Sequence, residues 1–177
     1  MEIYKGRPES ADGRSDREMR VYDLLDGLLI EYERVDHEKA ETMEACADVD
    51  KALGTEMCKN LFLCNRQKTQ FYLLLMPGDK PFKTKDLSAQ LGCARLSFAD
   101  ACDMERLLGL TPGSVSVMGL ISDTENEVQL VLDREIAESE YIGCHPCVNT
   151  SSLKIKTKDV LEVFLENVKH NAITVDL

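Results

Sequence analysis

The chain has 177 residues, enough for one domain with a substantial core, and its 44% apolar and 30% charged residues exclude disorder and collagen-like repeats. A net charge of −11 has the wrong sign for a general nucleic-acid coat protein. The longest unbroken apolar stretch, Phe71 to Met76, falls far short of the roughly 20 residues that span a bilayer.

Taken in chain order, Ser15 with Glu18 three residues later reads as a capping box, and Val21, Leu24, Leu25 and Leu28 continue a helix over 16–28. Residues 1–14 are read either as a mobile leader or as an ordered edge, ahead of a domain over 15–177. Ile30 to Val35 alternates apolar and charged residues as a half-buried strand does. Residues 42–53 read as a helix stopped by Gly54. Leu61–Leu63 and Phe71–Leu75, joined by a polar turn, predict a hairpin. Thr84 is expected to cap a helix over 85–91 that Gly92 ends, and a helix over 100–108 ends at Gly109. Val115–Ile121, Val128–Leu132 and Leu153–Ile155 are strand candidates, and Thr157 is expected to cap a last amphipathic helix. Strands and helices interleave irregularly around a hairpin, so the expected class is α+β, one domain with a mixed sheet flanked by helices.

Charge is unevenly distributed. Residues 57–98 carry seven bases (Lys59, Arg66, Lys68, Lys80, Lys83, Lys85, Arg95) against Asp79 and Asp86, and residues 141–158 hold three lysines and no acid. Brought together, these stretches would present one basic face to a polyanion; apart, they are solvated lysines of strand edges.

Seven cysteines at irregular spacing do not suggest a secreted disulfide framework, and the N-terminus lacks the pattern of a secretory signal; the expectation is a reduced, cytoplasmic protein. Cys144-His145-Pro146-Cys147 has redox or metal spacing, but the β-prone Val148–Ser152 follows where a thioredoxin-like site needs a helix. No second pair of zinc ligands lies at compact spacing, so most cysteines are read as small core residues. There is no Gly-x-Ser-x-Gly elbow and no phosphate loop. Gly109–Ser114 is a rigid turn whose backbone N–H groups could bind an oxygen, or a plain helix-to-strand connection. Lys59-Asn60 opens an apolar strand, where a lysine and an amide can hold an anion and orient a carbonyl.

Four segments occur in an order and at a spacing that one family shares: Cys58-Lys59-Asn60-Leu61-Phe62-Leu63, Arg95-Leu96-Ser97-Phe98-Ala99, Gly109–Val115, and His145-Pro146-x-Val148-Asn149-Thr150. His37, with Ala40 and Thr42, fits the same pattern. From about residue 16 onward the chain resembles the YbaK-type aminoacyl-tRNA deacylases, and within them the prolyl-tRNA-synthetase-associated branch called PrdX or ProX. The resemblance implies a YbaK-like fold with a mostly antiparallel, partly closed sheet. It implies hydrolysis in trans of alanine wrongly esterified to proline tRNA, by water that a substrate ribose hydroxyl helps to activate, with no metal or other cofactor. Lys59 would be the catalytic lysine, and Asn60 and His145 would position the ester. The Gly113-Ser114 turn would supply backbone contacts. The implied partners are the mischarged tRNA end and prolyl-tRNA synthetase, with no membrane. Cys144 stands where some relatives carry a smaller residue, which leaves cysteine- or serine-charged tRNA as alternative substrates. A non-catalytic tRNA- or synthetase-binding module and a thiol redox protein using Cys144 and Cys147 are the competing readings.

Overall fold

The computed structural model describes residues 1–177, the side chain of Met43 excepted. The chain opens with β1 (Ile3–Lys5), an edge strand within the stretch read as leader or edge. The first helix, α1 (Asp16–Gly27), starts where Ser15 accepts a hydrogen bond from the Glu18 N–H, and it buries Val21, Tyr22 and Leu25. Next come β2 (Tyr32–Asp36) and α2 (Met43–Leu53), the latter capped at one end by Thr42 and stopped at the other by Gly54 in the left-handed region. The hairpin is β3 (Lys59–Cys64) and β4 (Phe71–Met76). After it lie α3 (Thr84–Leu91), β5 (Ser97–Phe98) and α4 (Ala101–Leu108), with Gly92 and Gly109 as left-handed stops. Then follow β6 (Val128–Asp133), α5 (Arg134–Glu138), β7 (Tyr141–Cys144) and β8 (Ser151–Lys156). Finally α6 (Thr157–Asp159) runs through a π-helical stretch (Val160–Phe164) into α7 (Leu165–Asn167), before β9 (Ala172–Val175).

The mixed, mostly antiparallel sheet is present as two sheets. One is antiparallel throughout, in the order β1-β2-β8-β7; the other runs β5-β3-β4-β6-β9, its last two pairings parallel. They meet where Met57 bridges Gly143 and the Cys58 N–H bonds the Gly143 carbonyl at 3.1 Å. Approach there is tight: a Cβ on Gly143 would stand 2.6 Å from the Glu56 carbonyl oxygen. Only a glycine lets the backbones close on each other. Strand β4 is apolar throughout because both its faces are covered: Phe71, Leu73 and Leu75 join the main core, and Leu74 and Met76 a second cluster with Leu87 of α3.

A charged cluster seals the antiparallel sheet against α1. Arg14 contacts Glu18 at 2.6 Å and Asp36 at 2.7 Å, Arg34 pairs with Asp36, and the Tyr22 hydroxyl donates to Glu18 at 2.8 Å. Glu18 and Arg34 are each only 3% exposed. Burial alone would raise the Asp36 pKa, but bonds from Arg14, Arg34 and Ser151 outweigh it and hold the carboxyl below the usual range.

Three expectations need correction. Val115–Ile121 is not a strand; Val117–Ser122 is a 3-10 helix, because the Ser116 hydroxyl caps the Met118 N–H at 3.1 Å and Val117, Met118 and Leu120 are all buried rather than alternating. Thr84 and Thr157 are first helical residues, not caps, and the Thr157 hydroxyl lies 3.2 Å from that of Ser139. Lys154 and Lys156 line a groove to which residues 57–98 contribute no side chain. The groove, of about 680 Å³, is shared with Lys5, Glu31 and Glu33, and in it Lys154 lies 3.6 Å from Glu33 and over the Tyr141 ring. Among the described residues no helix is long and apolar enough to cross a membrane.

Because the atoms opposing a Gly143 side chain are backbone, Gly143→Ala is expected to lower unfolding stability by about 1–3 kcal/mol. The midpoint of urea denaturation checks this; an unchanged midpoint would mean that the two sheets part at no cost.

Candidate functional site

The register of β2 on β8 assembles the first part of the site. Asp36 stands opposite Ser151, so the next residue, His37, donates its backbone N–H to the Thr150 carbonyl at 2.9 Å. Strand β7 delivers His145 to the same place from the other side. The Ser152 hydroxyl lies between the two rings, 2.8 Å from His37 Nε2 and 3.3 Å from His145 Nδ1, and the ring centroids are 6.4 Å apart.

The partners assign the tautomers. His37 Nδ1 lies 2.6 Å from the Glu38 carbonyl and His145 Nδ1 lies 3.0 Å from the Ser151 carbonyl, so each Nδ1 carries a hydrogen and donates. His37 Nε2 therefore accepts from Ser152, and His145 is left with an Nε2 lone pair. Burial lowers the His145 pKa, the bond to Ser151 opposes this, and the charge of a protonated His37 lowers it further; the ring is neutral at pH 7. Ser152 is completely buried, so its hydroxyl couples the rings and is not an accessible nucleophile.

The glycine turn packs against this loop. Ser114 is buried, and both its N–H (3.1 Å) and its hydroxyl (2.8 Å) bond the Thr111 carbonyl. Gly113 is exposed at φ +91, and a Cβ there would sit 3.6 Å from Asn149 Nδ2. Two residues after Ser114, the Ser116 hydroxyl donates to the His145 carbonyl at 2.6 Å. The Gly113 turn and the His145 loop are thus one assembly.

Strand β3 brings up the other two predicted residues and separates their side chains. Alternation puts Asn60 on the face of Phe62 and Cys64, toward the main core, and Lys59 on the face of Leu61 and Leu63. Asn60 Nδ2 donates to the Cys58 carbonyl at 2.9 Å, leaving its buried Oδ1 without a hydrogen-bond partner. The Cys58 N–H in turn bonds Gly143, two residues before His145. The Lys59 ammonium donates to the Lys80 carbonyl at 2.6 Å, and Lys80 is itself anchored to Asp133 at 3.0 Å and Glu135 at 2.8 Å. His145, Gly113 and Ser114 therefore stand together, Asn60 joins them through the strand junction, and the Lys59 side chain leaves on the opposite face.

All seven cysteines are free thiols. Cys144 and Cys147 are buried, and burial pushes the Cys147 thiol up to about 12 and Cys144 higher still. Neither is a thiolate at neutral pH, which removes the ground for a redox pair. Among the described residues no group of three or more His, Cys, Asp or Glu side chains could hold a metal ion. Sequence reasoning missed Ser152 and left His37 without a partner. The i, i+1 pair Ser151-Ser152 in a β-prone run was the available signal, but only the β2–β8 register reveals what those hydroxyls meet.

The family model for the aminoacyl-tRNA editing domain matches residues 37–163, which span His37, Lys59, Gly113 and His145. The chain is 29% identical over 152 residues to the prolyl-tRNA editing protein ProX of Acetoanaerobium sticklandii, covering 86% of this chain and 93% of that one. It is 31% identical over 160 residues to the prolyl-tRNA synthetase associated domain-containing protein 1 of Danio rerio, covering 89% and 86%. A solved structure of a proposed trans-editing enzyme for prolyl tRNA synthetase superposes with a TM-score of 0.68 at 16% identity, over 92% of this chain and 97% of that one; it shares the fold.

The His145 ring is expected to titrate below its ordinary 6.5 by NMR, and His37→Gln is expected to move it upward by removing the neighbouring charge. Since the folded value lies below the unfolded one, the contribution to stability is present above about pH 6.5 and is lost as pH falls through the folded value. A His145 titration at or above 6.5 would reject this account of the pair.

Proposed function

The chain belongs to the aminoacyl-tRNA editing domain family, and from that premise we propose that it hydrolyses mischarged tRNA in trans, with alanine on proline tRNA as its substrate. The observation that carries this reading is that the converging groups have spare hydrogen-bonding capacity but include no activated nucleophile. Asn60 Oδ1 is a buried acceptor with no partner, suited to a donor such as the α-ammonium of an aminoacyl ester. His145 offers its Nε2 lone pair, and Gly113 has an exposed backbone in a turn whose Ser114 N–H is already taken.

An aminoacyl ester is an activated substrate, so positioning and oxyanion stabilisation suffice. Water attacks the carbonyl carbon, assisted by a ribose hydroxyl of the substrate, and the oxyanion forms against the Gly113 turn. Collapse breaks the bond to the ribose oxygen, which takes up the proton, and releases the free amino acid and deacylated tRNA. Lys59, whose ammonium donates to the Lys80 carbonyl, supplies positive charge for the 3′-terminal nucleotide. The family of relatives named for prolyl-tRNA synthetase supports that synthetase as a partner.

The physical need is clear. A methylene distinguishes small side chains by only about 1–3 kcal/mol, so a synthetase pocket for proline cannot fully reject alanine, whereas a second pocket can exclude the larger side chain.

Proline tRNA charged with alanine, proline, cysteine or serine, incubated with wild type and Lys59→Ala, tests the proposal. Alanine is expected to be released, and Lys59→Ala to slow release by about a hundredfold or more. Faster release of cysteine or serine would keep the chemistry and change the substrate. No release from any charged tRNA would leave the non-catalytic binding module as the reading.

A further inference from the structure

The face of β3 that carries Lys59 continues into an exposed strip of aromatic and basic side chains. Lys59 donates to the carbonyl of Lys80, and two residues on, Phe82, like Leu61, packs against the second core cluster. The Phe82 ring meets Phe98 edge-on, with centroids 6.2 Å apart. Phe98 sits on the short edge strand β5, opposite Leu63, and is 59% exposed. From Lys59 to Leu63 along β3 is about 13 Å. Lys83 directly follows Phe82, and Arg95 stands three residues before Phe98. Both are exposed and, among the described residues, in no ion pair, as are Arg66 and Lys85, whereas Lys68 pairs with Asp100 and Asp103 and Lys80 with Asp133 and Glu135. Asp79 and Asp86 are the acids of this region.

A phenylalanine three-fifths exposed on an edge strand costs the free protein solubility, and its edge-on contact with Phe82 still leaves most of the ring in water. Beside unpaired cations it has the composition of a platform on which unstacked bases lie while the backbone phosphates meet the bases. We propose that Phe98 and Phe82, with Lys83 and Arg95, form a track for the single-stranded 3′ end of an RNA whose terminal nucleotide reaches Lys59. The charges alone would suit an acidic protein surface equally well. The exposed Phe98 ring, backed by the half-buried Phe82 on the Lys59 side of β3, favours RNA. The inference rests on the reading of Lys59 as the residue that meets the terminal nucleotide, and extends it to how the rest of the strand is held.

Binding is measured with uncharged proline tRNA, across a salt series, so that it does not depend on hydrolysis. Phe98→Ala is expected to weaken binding about tenfold at every salt concentration, with Phe98→Tyr restoring it. Lys83→Ala/Arg95→Ala is expected to weaken binding and to flatten the dependence of log K on log salt by about 0.7–0.9 per charge removed. Lys156→Ala/Lys158→Ala, which removes the same charge elsewhere, serves as the reference. With alanyl-charged tRNA, the Phe98 variant should raise KM and leave kcat unchanged. Wild-type affinity in the Phe98→Ala and Lys83→Ala/Arg95→Ala variants would overturn the proposal, as would an equal loss in the reference variant or no tRNA binding by wild type. Binding without hydrolysis by wild type would instead reject the editing reading and leave the track standing.

Discussion

Much of the site depends on a single carboxylate. Asp36 is the last residue of β2, and its oxygens are held by Arg14 from the segment before α1, by Arg34 from its own strand and by Ser151 from the paired strand β8. The buried Arg34, the partly buried Arg14 and a hydroxyl favour its ionised form, and a slip of the β2–β8 register by one residue would leave the Arg34 charge buried and unmatched. The register therefore has an electrostatic lock as well as an apolar one. That lock is one residue from His37 on one strand and one residue from Ser152 on the other, so the energy that fixes the sheet also fixes the hydroxyl between the two imidazoles. Rigid support of this kind is what the proposed hydrolysis, which works by position and forms no bond to the protein, requires.

Local elements were legible in the sequence wherever one residue type has one physical use. Gly54, Gly92 and Gly109 each end a helix in the left-handed region and Ser15 caps one, whereas Thr42 and Asp100, read as the first helical residues, prove to be caps. The unbroken apolar run of β4 marked a strand with both faces covered. What escaped depends on contacts distant in sequence. Strand β9 is exposed except at Val175 and has its place through parallel pairing with β6, some forty residues earlier. Val115–Ile121 has strand-like composition, but Ser116 and Gly119 turn it into a 3-10 helix: a Cβ at Gly119 would stand 2.6 Å from the Leu110 side chain, so the segment packs closer than a strand would allow.

The candidate site shows the same division. Lys59, Asn60, Gly113, Ser114 and His145 stood out because their types and order match a family pattern; the fold brings Gly113, Ser114 and His145 together and links Asn60 to them through the backbone of Cys58 and Gly143. The orientation of each was not legible. Whether Lys59 and Asn60 share a face is decided by strand alternation about the Met57–Gly143 bridge, and whether the Ser114 hydroxyl is free is decided by Thr111. The cysteine pair misleads for a related reason. Its spacing is that of a redox motif, yet with Cys144 completely buried the same two residues are core side chains whose thiols stay protonated.

Separation of Lys59 from Asn60 on opposite faces of one strand has a mechanistic meaning in the proposed reaction. An aminoacylated terminal nucleotide has two chemically different ends, a small amino acid with a cationic amine and a bulky anionic nucleotide. A strand that turns an unpartnered amide oxygen to one side and an ammonium to the other can receive both ends across its edge, with the ester bond between them. In that arrangement the amino acid would lie on the Asn60 side, toward the Gly113 turn and the neutral His145. The nucleotide stays on the open side, continuous with the exposed aromatic strip, where size matters little and charge and stacking matter most. Discrimination and affinity are thus assigned to different faces of β3, so selectivity for the amino acid can change without loosening the grip on the RNA.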